Sequence, residues 1–235
     1  MKDLENFVQD IAVHFNANLG SALVEAYKLG SLAHGGFSDI YSDIDVGLLL
    51  SCREPPPRMS ELIAGAKALH PEYGKKLSIF WGNPDFDWGR LPLIDRLDLL
   101  DHGVALLHGI KPPLRRPSKQ EIHHEQLQSI ERSWKPRLPE LNRLTSLEPK
   151  DRKPYIRAIL YAARLIYTWD NLVVGSNDSA VEYLHQVRPE GLDLKAIDMA
   201  LMCRKGECSA EDVMRLGSDL NRHCDSAMSY VLGRP

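Results

Sequence analysis

The chain has 235 residues, 43% hydrophobic and 26% charged, with a formal net charge of −3, enough apolar material for one large core or two smaller ones. The mild acidity argues against broad, nonspecific nucleic-acid binding, no apolar run reaches the length of a bilayer span, and the polar start MKDLENFVQD lacks a secretory leader's pattern. Cys52, Cys203, Cys208 and Cys224 show neither C-x-x-C nor zinc spacing, so free thiols and a reducing, cytoplasmic setting are expected.

Leu4, Phe7, Val8, Ile11, Ala12 and Phe15 recur at helical spacing until Gly20 ends the pattern. ALVEAYKLG then reads as a strand running into the glycine-rich turn GSLAHGG, and DIDVGLLL as a second strand. After Pro55-Pro56-Pro57, RMSELIAGAKAL is a helix and KKLSIFW a third strand. LPLIDRLDLLDHG is helical, and VALLHG is a short strand that closes the unit. Strands alternating with helices predict a small α/β domain with a mixed sheet. It ends near residue 115, in the proline-broken basic linker IKPPLRRPSKQ.

From residue 116 to 235 the periods are helical. EIHHEQLQSIERSW, PYIRAILYAARLIYTW, SAVEYLHQV, LDLKAIDMALMC and AEDVMRLGSDLNRHCDSAMSYVL predict an all-α second domain. IHHEQ lacks the H-E-x-x-H order and reads as a solvated helix face.

The chemistry concentrates in residues 30 to 45. Alternation along a strand points Asp43 and Asp45 to one side and Ile44 to the other. Two converging carboxylates repel unless a cation sits between them. Mg²⁺ suits such a pair, because it needs only one or two protein carboxylates and takes its other ligands from water and phosphates. Gly30 and Ser31, where the first strand ends, let backbone N–H groups and a hydroxyl approach phosphate oxygens. Ser42 leads into the acids. A loop end and a plain glycine turn would use the same residues. The order strand, Gly-Ser, short connection, D-x-D, apolar strand favours the metal and phosphate site.

This order resembles the nucleotidyltransferase superfamily typified by DNA polymerase β and the antibiotic nucleotidyltransferases, matched at Gly30, Ser31, Asp43 and Asp45. Residues 162 to 189, AARLIYTWDNLVVGSNDSAVEYLHQVRP, are similar to the C-terminal segment of aminoglycoside 3″-adenylyltransferases. The resemblance implies Mg²⁺-dependent transfer of AMP, or another nucleoside monophosphate, from ATP or another triphosphate to a hydroxyl of a small acceptor. Aminoglycosides are the leading acceptor class, and nucleic acid or membrane partners are not expected.

The family also implies a third carboxylate on the neighbouring strand, as base or shared metal ligand. Here the aligned position is Ser78, which accepts no proton usefully near neutral pH. Asp85 or Asp87 of the loop GNPDFDWGR would have to serve, or the base is missing. A Pro/Gly-rich loop equally suits solvated turn acids. Acids matching Asp178 and Glu182 contact the cationic acceptor in the resembling enzymes. Together with His185 they fall at i, i+4 and i+7 of one helix face. Ser179-x-x-Glu182 is also a capping box in form, and a lone His185 also suits packing. Arg204 and Lys205 are candidates for the triphosphate tail, with Lys75-Lys76 and Arg115-Arg116 as alternatives. The missing third acid leaves one rival: a catalytically impaired module of the same fold that binds nucleotide or a protein partner in a regulatory or antitoxin-like role.

Overall fold

The computed structural model describes residues 2–52, 54, 56–86, 88–109 and 114–233. The chain divides into two compact units. One comprises Met1–Gly35 with Ser42–Pro117, the other Gly36–Tyr41 with Ser118–Pro235.

The first unit is a five-stranded sheet in the order β4-β3-β2-β1-β5. Its strands are β1 (Leu23–Leu29), β2 (Ile44–Leu50), β3 (Leu77–Gly82), β4 (Gly89–Arg90) and β5 (Val104–Ala105). Its helices are α1 (Lys2–Leu19), α2 (Gly30–His34), α3 (Met59–Ala68), α4 (Pro71–Gly74) and α5 (Leu93–His102). β2 pairs in parallel with β3, as the crossover through α3 and α4 requires, and the other pairings are antiparallel. The apolar stripe of α1 is buried along its length and packs on β1 and α3. β2 reads as a nearly unbroken apolar run because both faces of this central strand are covered.

Registry places the motif. Asp45 of β2 lies opposite Leu29, the last residue of β1, and beside Ser78 of β3. The end of β1 and the start of β2 therefore meet at one edge of the sheet.

The second unit is helical: α6 (Lys119–Ser129), α7 (Leu138–Leu141), α8 (Pro149–Asn171), α9 (Asn177–Val187), α10 (Leu194–Lys205), α11 (Ala210–Arg215) and α12 (Leu220–Leu232). A π turn at Ile130–Trp134 and a 3₁₀ turn at Lys135–Arg137 join α6 to α7. α8 is the central rod, and α9, α10 and α12 pack on it. Ile159, Ile166, Leu184, Ile197, Leu220 and Val231 are fully enclosed in their core.

Three expectations need correction here. α8 begins a turn earlier than the proline signal suggested, at Pro149, and runs through Pro154. The segment read as one helix from Ala210 onward breaks into α11 and α12, because Gly217 takes φ +65°, a left-handed conformation that ends a helix. IHHEQ is not a solvated face: Ile122 and Gln126 are buried, and Gln126 donates to the Leu165 carbonyl at 3.2 Å. His123 stacks on Trp169 with ring centres 3.6 Å apart.

Candidate functional site

β1 delivers the chain to Gly30, which opens α2 with φ +60°. A Cβ built there would stand 2.6 Å from Oδ2 of Asp45, so only glycine lets the turn pass this close to the carboxylate. One residue on, Ser31 Oγ donates to Ser42 Oγ at 3.0 Å, closing the loop between α2 and β2 at its base. Asp43 lies one step before β2 and Asp45 inside it, both half-buried, while Ile44 between them is fully enclosed. The structure thus gathers Gly30, Ser31, Ser42 and Asp45 around the β1–β2 edge, with Asp43 adjoining.

Asp98 on α5 belongs to this edge. It is 5% exposed, and its Oδ2 accepts the Gly30 N–H at 2.6 Å, while its Oδ1 is enclosed and has no hydrogen-bond partner among the described residues. Burial pushes its carboxyl above the usual range. The Gly30 amide and then the nearby His34 and His102 pull it back down. Those two rings meet edge-on, 5.5 Å apart. The Gly30 amide, expected to face phosphate, is therefore committed to a carboxylate. A partial signal for Asp98 was present: it lies four residues after Ile94 and next to Leu97, so it shares the apolar side of its helix.

Ser78 is where the third acid was sought, directly beside Asp45. Asp85 is exposed in the turn after β3, which the Phe86 N–H closes on the Asn83 carbonyl at 3.0 Å. Asp87 lies outside the described residues. Among the described residues, no group of three or more His, Cys, Asp and Glu side chains gathers in a way that could hold a metal ion. The pair Asp43 and Asp45 still fits Mg²⁺. Its donors are hard oxygens, the missing Cβ of Gly30 leaves space at Asp45 Oδ2, and this ion accepts two protein carboxylates with phosphates and water completing the shell.

In the helical unit, the candidates from α9 and α10 meet in an unexpected way. Lys205 is paired with Asp178 at 2.5 Å, so an expected phosphate contact and an expected acceptor contact neutralise each other. Asp178 Oδ2 would lie 3.4 Å from a Cβ at Gly36. Arg204 reaches the carbonyls of Gly36 and Tyr41, each at 3.4 Å, and the Tyr41 hydroxyl meets Cys203 Sγ at 3.0 Å. Glu182 is exposed one turn beyond Asp178. His185, also exposed, pairs with Asp198 at 2.7 Å. The capping-box alternative for Glu182 is overturned: the helix starts at Ser176, whose Oγ accepts the Ser179 N–H at 3.0 Å. Two open hollows of about 460 and 500 Å³ lie at the N-terminus of α12, and none of the sequence candidates lines them.

The chain matches no known family profile and no curated protein. Among solved structures, it is similar to spectinomycin adenyltransferase AAD(9) from Enterococcus faecialis, solved with ATP and spectinomycin. The two share 18% identity with a TM-score of 0.66, covering 97% of this chain and 99% of that one. The chain has the fold of that adenyltransferase, a mixed α/β unit followed by a helical part, as the resemblance implied.

Proposed function

We propose that the chain is a nucleotidyltransferase that moves AMP, or another nucleoside monophosphate, from a triphosphate to a hydroxyl of a small acceptor. The observation that carries this is the β1–β2 edge, where Gly30 passes within contact of Asp45 and Ser31 is tied to Ser42. The shared fold with an adenyltransferase solved with ATP supports it. Asp43 and Asp45 would hold Mg²⁺, which when bound neutralises the triphosphate and steadies charge on the leaving oxygens.

The chain's own residues do the rest by placement. Ser31, its hydroxyl donated to Ser42 Oγ, fixes the spacing of the turn beside the acids, and the turn at Gly30 brings the backbone close to the Asp45 carboxylate. In the transfer, the acceptor oxygen forms a bond to the α-phosphorus as the bond to the β-phosphate oxygen breaks. Pyrophosphate departs, and the acceptor proton goes to base or solvent. With Ser78 beside Asp45, β3 supplies no carboxylate for that proton, and Asp85 or Asp87 would have to take it. Without either, the missing base would cost about 10²–10⁴ in rate.

The acceptor class we propose is the aminoglycoside-like cation. Support comes from the spectinomycin bound by the similar structure and from the acids Asp178 and Glu182 along α9. The same Ser78 supports a second reading, a nucleotide-binding module without turnover. The two part on whether Ser78→Glu, in a folded variant that binds nucleotide, raises transfer. Among the described residues no helix is long and apolar enough to cross a membrane. The four cysteines are free, as a reducing, cytoplasmic setting would keep them.

Calorimetry tests the site. Asp43→Asn and Asp45→Asn should each weaken Mg·ATP binding strongly while melting like the parent. If both bind as the parent does, the assignment of the acids is wrong.

A further inference from the structure

The two hollows at the start of α12 meet along Gly191, Asp219 and Arg222, which line both. Asp193 and His223 add to the wall of the larger, Glu190 and Asp225 to that of the smaller, so four carboxylates stand against one cation, Arg222. Asp219 accepts the Asn221 and Arg222 amides and the Asn142 side chain through Oδ1 alone, and among the described residues nothing engages its Oδ2. Asp193 takes the Ser218 hydroxyl and the Ala196 amide, each at 3.1 Å, which holds its carboxylate in place beside the hollow. Glu190 and Asp225 are exposed, and among the described residues neither forms an ion pair. His223 is 2% exposed, and both of its ring nitrogens are enclosed without a hydrogen-bond partner among the described residues. Burial holds its pKa below the ordinary 6.5, so near neutral pH the ring is uncharged and one nitrogen is a bare acceptor.

A buried imidazole with no partner is unfavourable by itself, and so is a surplus of carboxylates around one depression. A guest that carries positive charge and donates hydrogen bonds relieves both. The N-terminus of α12 alone would favour an anion, but Asp219 already caps it. A bare metal ion does not fit either. Asp193, Asp219 and His223 line one hollow, yet among the described residues no three His, Cys, Asp or Glu side chains gather closely enough to hold an ion. The guest is therefore larger than an ion and reaches several acceptors in turn. A primary ammonium does so with three N–H donors, and a linear diamine extends from one hollow into the other along their shared wall. We infer that Asp193, Asp219, His223, Glu190 and Asp225 form a binding site for an organic polycation with two or more ammonium groups. The site shares no residue with the proposed acceptor contacts Asp178 and Glu182 or with Asp43 and Asp45, and it does not rest on the nucleotidyltransferase reading.

Spermidine, titrated by calorimetry at low and at moderate salt, tests this. The parent should bind it, more weakly as salt rises, and more tightly than it binds methylamine or Mg²⁺. Asn caps a helix about as well as Asp, so Asp219→Asn should melt like the parent while binding spermidine roughly tenfold more weakly. His223→Leu keeps an apolar side chain in the same place without a polar atom. It should melt no lower than the parent and lose spermidine affinity by a similar factor. Added spermidine should raise the melting temperature of the parent more than that of either variant. A parent that does not bind spermidine at millimolar concentration overturns the inference. So does a His223→Leu variant that binds it like the parent, because the histidine then merely packs. Displacement by Mg²⁺ at equal charge marks a diffuse acidic patch and overturns it too, as does binding that Asp219→Asn keeps and Glu182→Gln loses, which belongs to α9. Mg·ATP binding that ignores Asp43 and Asp45 removes the transferase reading, whereas loss of spermidine binding in Asp219→Asn and His223→Leu would still establish this site.

Discussion

At the residue scale, Gly30 is held from two sides, by the Asp45 carboxylate that excludes any Cβ and by Asp98, which takes its amide proton. Asp98→Ala should leave that amide unpaired, at a cost of about 1–3 kcal/mol, and loosen Mg·ATP binding with it. Asp98→Asn keeps an acceptor oxygen and should bind Mg·ATP nearly as the parent does. The two variants also differ in pH dependence. With its carboxyl held above the ordinary 3.8, the native state keeps the Asp98 proton to higher pH than the unfolded chain does. The stability this group contributes is full below that ordinary value and is lost as pH rises through the raised one. Urea unfolding over a pH series should show that loss in the parent and not in Asp98→Asn. Gly30, Ser31, Asp43, Asp45 and Ser78 were legible in the sequence because spacing along neighbouring strands encodes them. For Asp98 the sequence hinted at burial on its helix but not at its role, since its partner is a backbone amide 68 residues away.

At the element scale, caps and buried polar groups decide where the helices of the second unit begin and what they tolerate. Ser176 closes the start of α9, so Ser176→Ala should cost about 1 kcal/mol. Glu182→Gln, outside the cap and exposed, should change stability by less than about 0.5 kcal/mol. Any loss of acceptor affinity in Glu182→Gln is then a binding effect. α12 carries His223, 2% exposed, with neither ring nitrogen hydrogen-bonded among the described residues. Burial holds its pKa below the ordinary 6.5, with Asp193 and Asp219 opposing. The unfolded chain takes up that proton first, so this contribution is intact above 6.5 and is lost as pH falls through that value toward the depressed one. Melts from about pH 8 to pH 5 should show the decline, and His223→Leu should flatten it. Apolar periodicity located the long helices and passed over the short α2, α4 and α7. It missed the break at Gly217 because apolar residues continue on both sides of it, and it missed the early start of α8 because two prolines competed as start signals.

At the scale of the whole molecule, composition and the change of period near residue 115 indicated an α/β half and a helical half, and the fold agrees. What periodicity does not convey is that Gly36–Tyr41, six residues inside the loop between the glycine turn and the acids, belong with the helices. Tyr41 is 8% exposed within the helical core, and its hydroxyl meets Cys203. Tyr41→Ala should destabilise the helical unit by about 3–5 kcal/mol in calorimetric melts, and Tyr41→Phe, which loses only the sulfur contact, by about 0.5–1.5 kcal/mol. The connection that sets the spacing of the D-x-D motif is thus also a piece of the other unit's interior. This bears on how such chains can be recombined. A gene fragment starting at Ser118 would encode a bundle lacking one of its own aromatic side chains. Grafting a foreign helical half onto this α/β half would succeed only if the graft brought its own hexapeptide into the first half's loop. The helical unit of this architecture is inherited through two separated stretches of coding sequence, and a single crossover cannot exchange it.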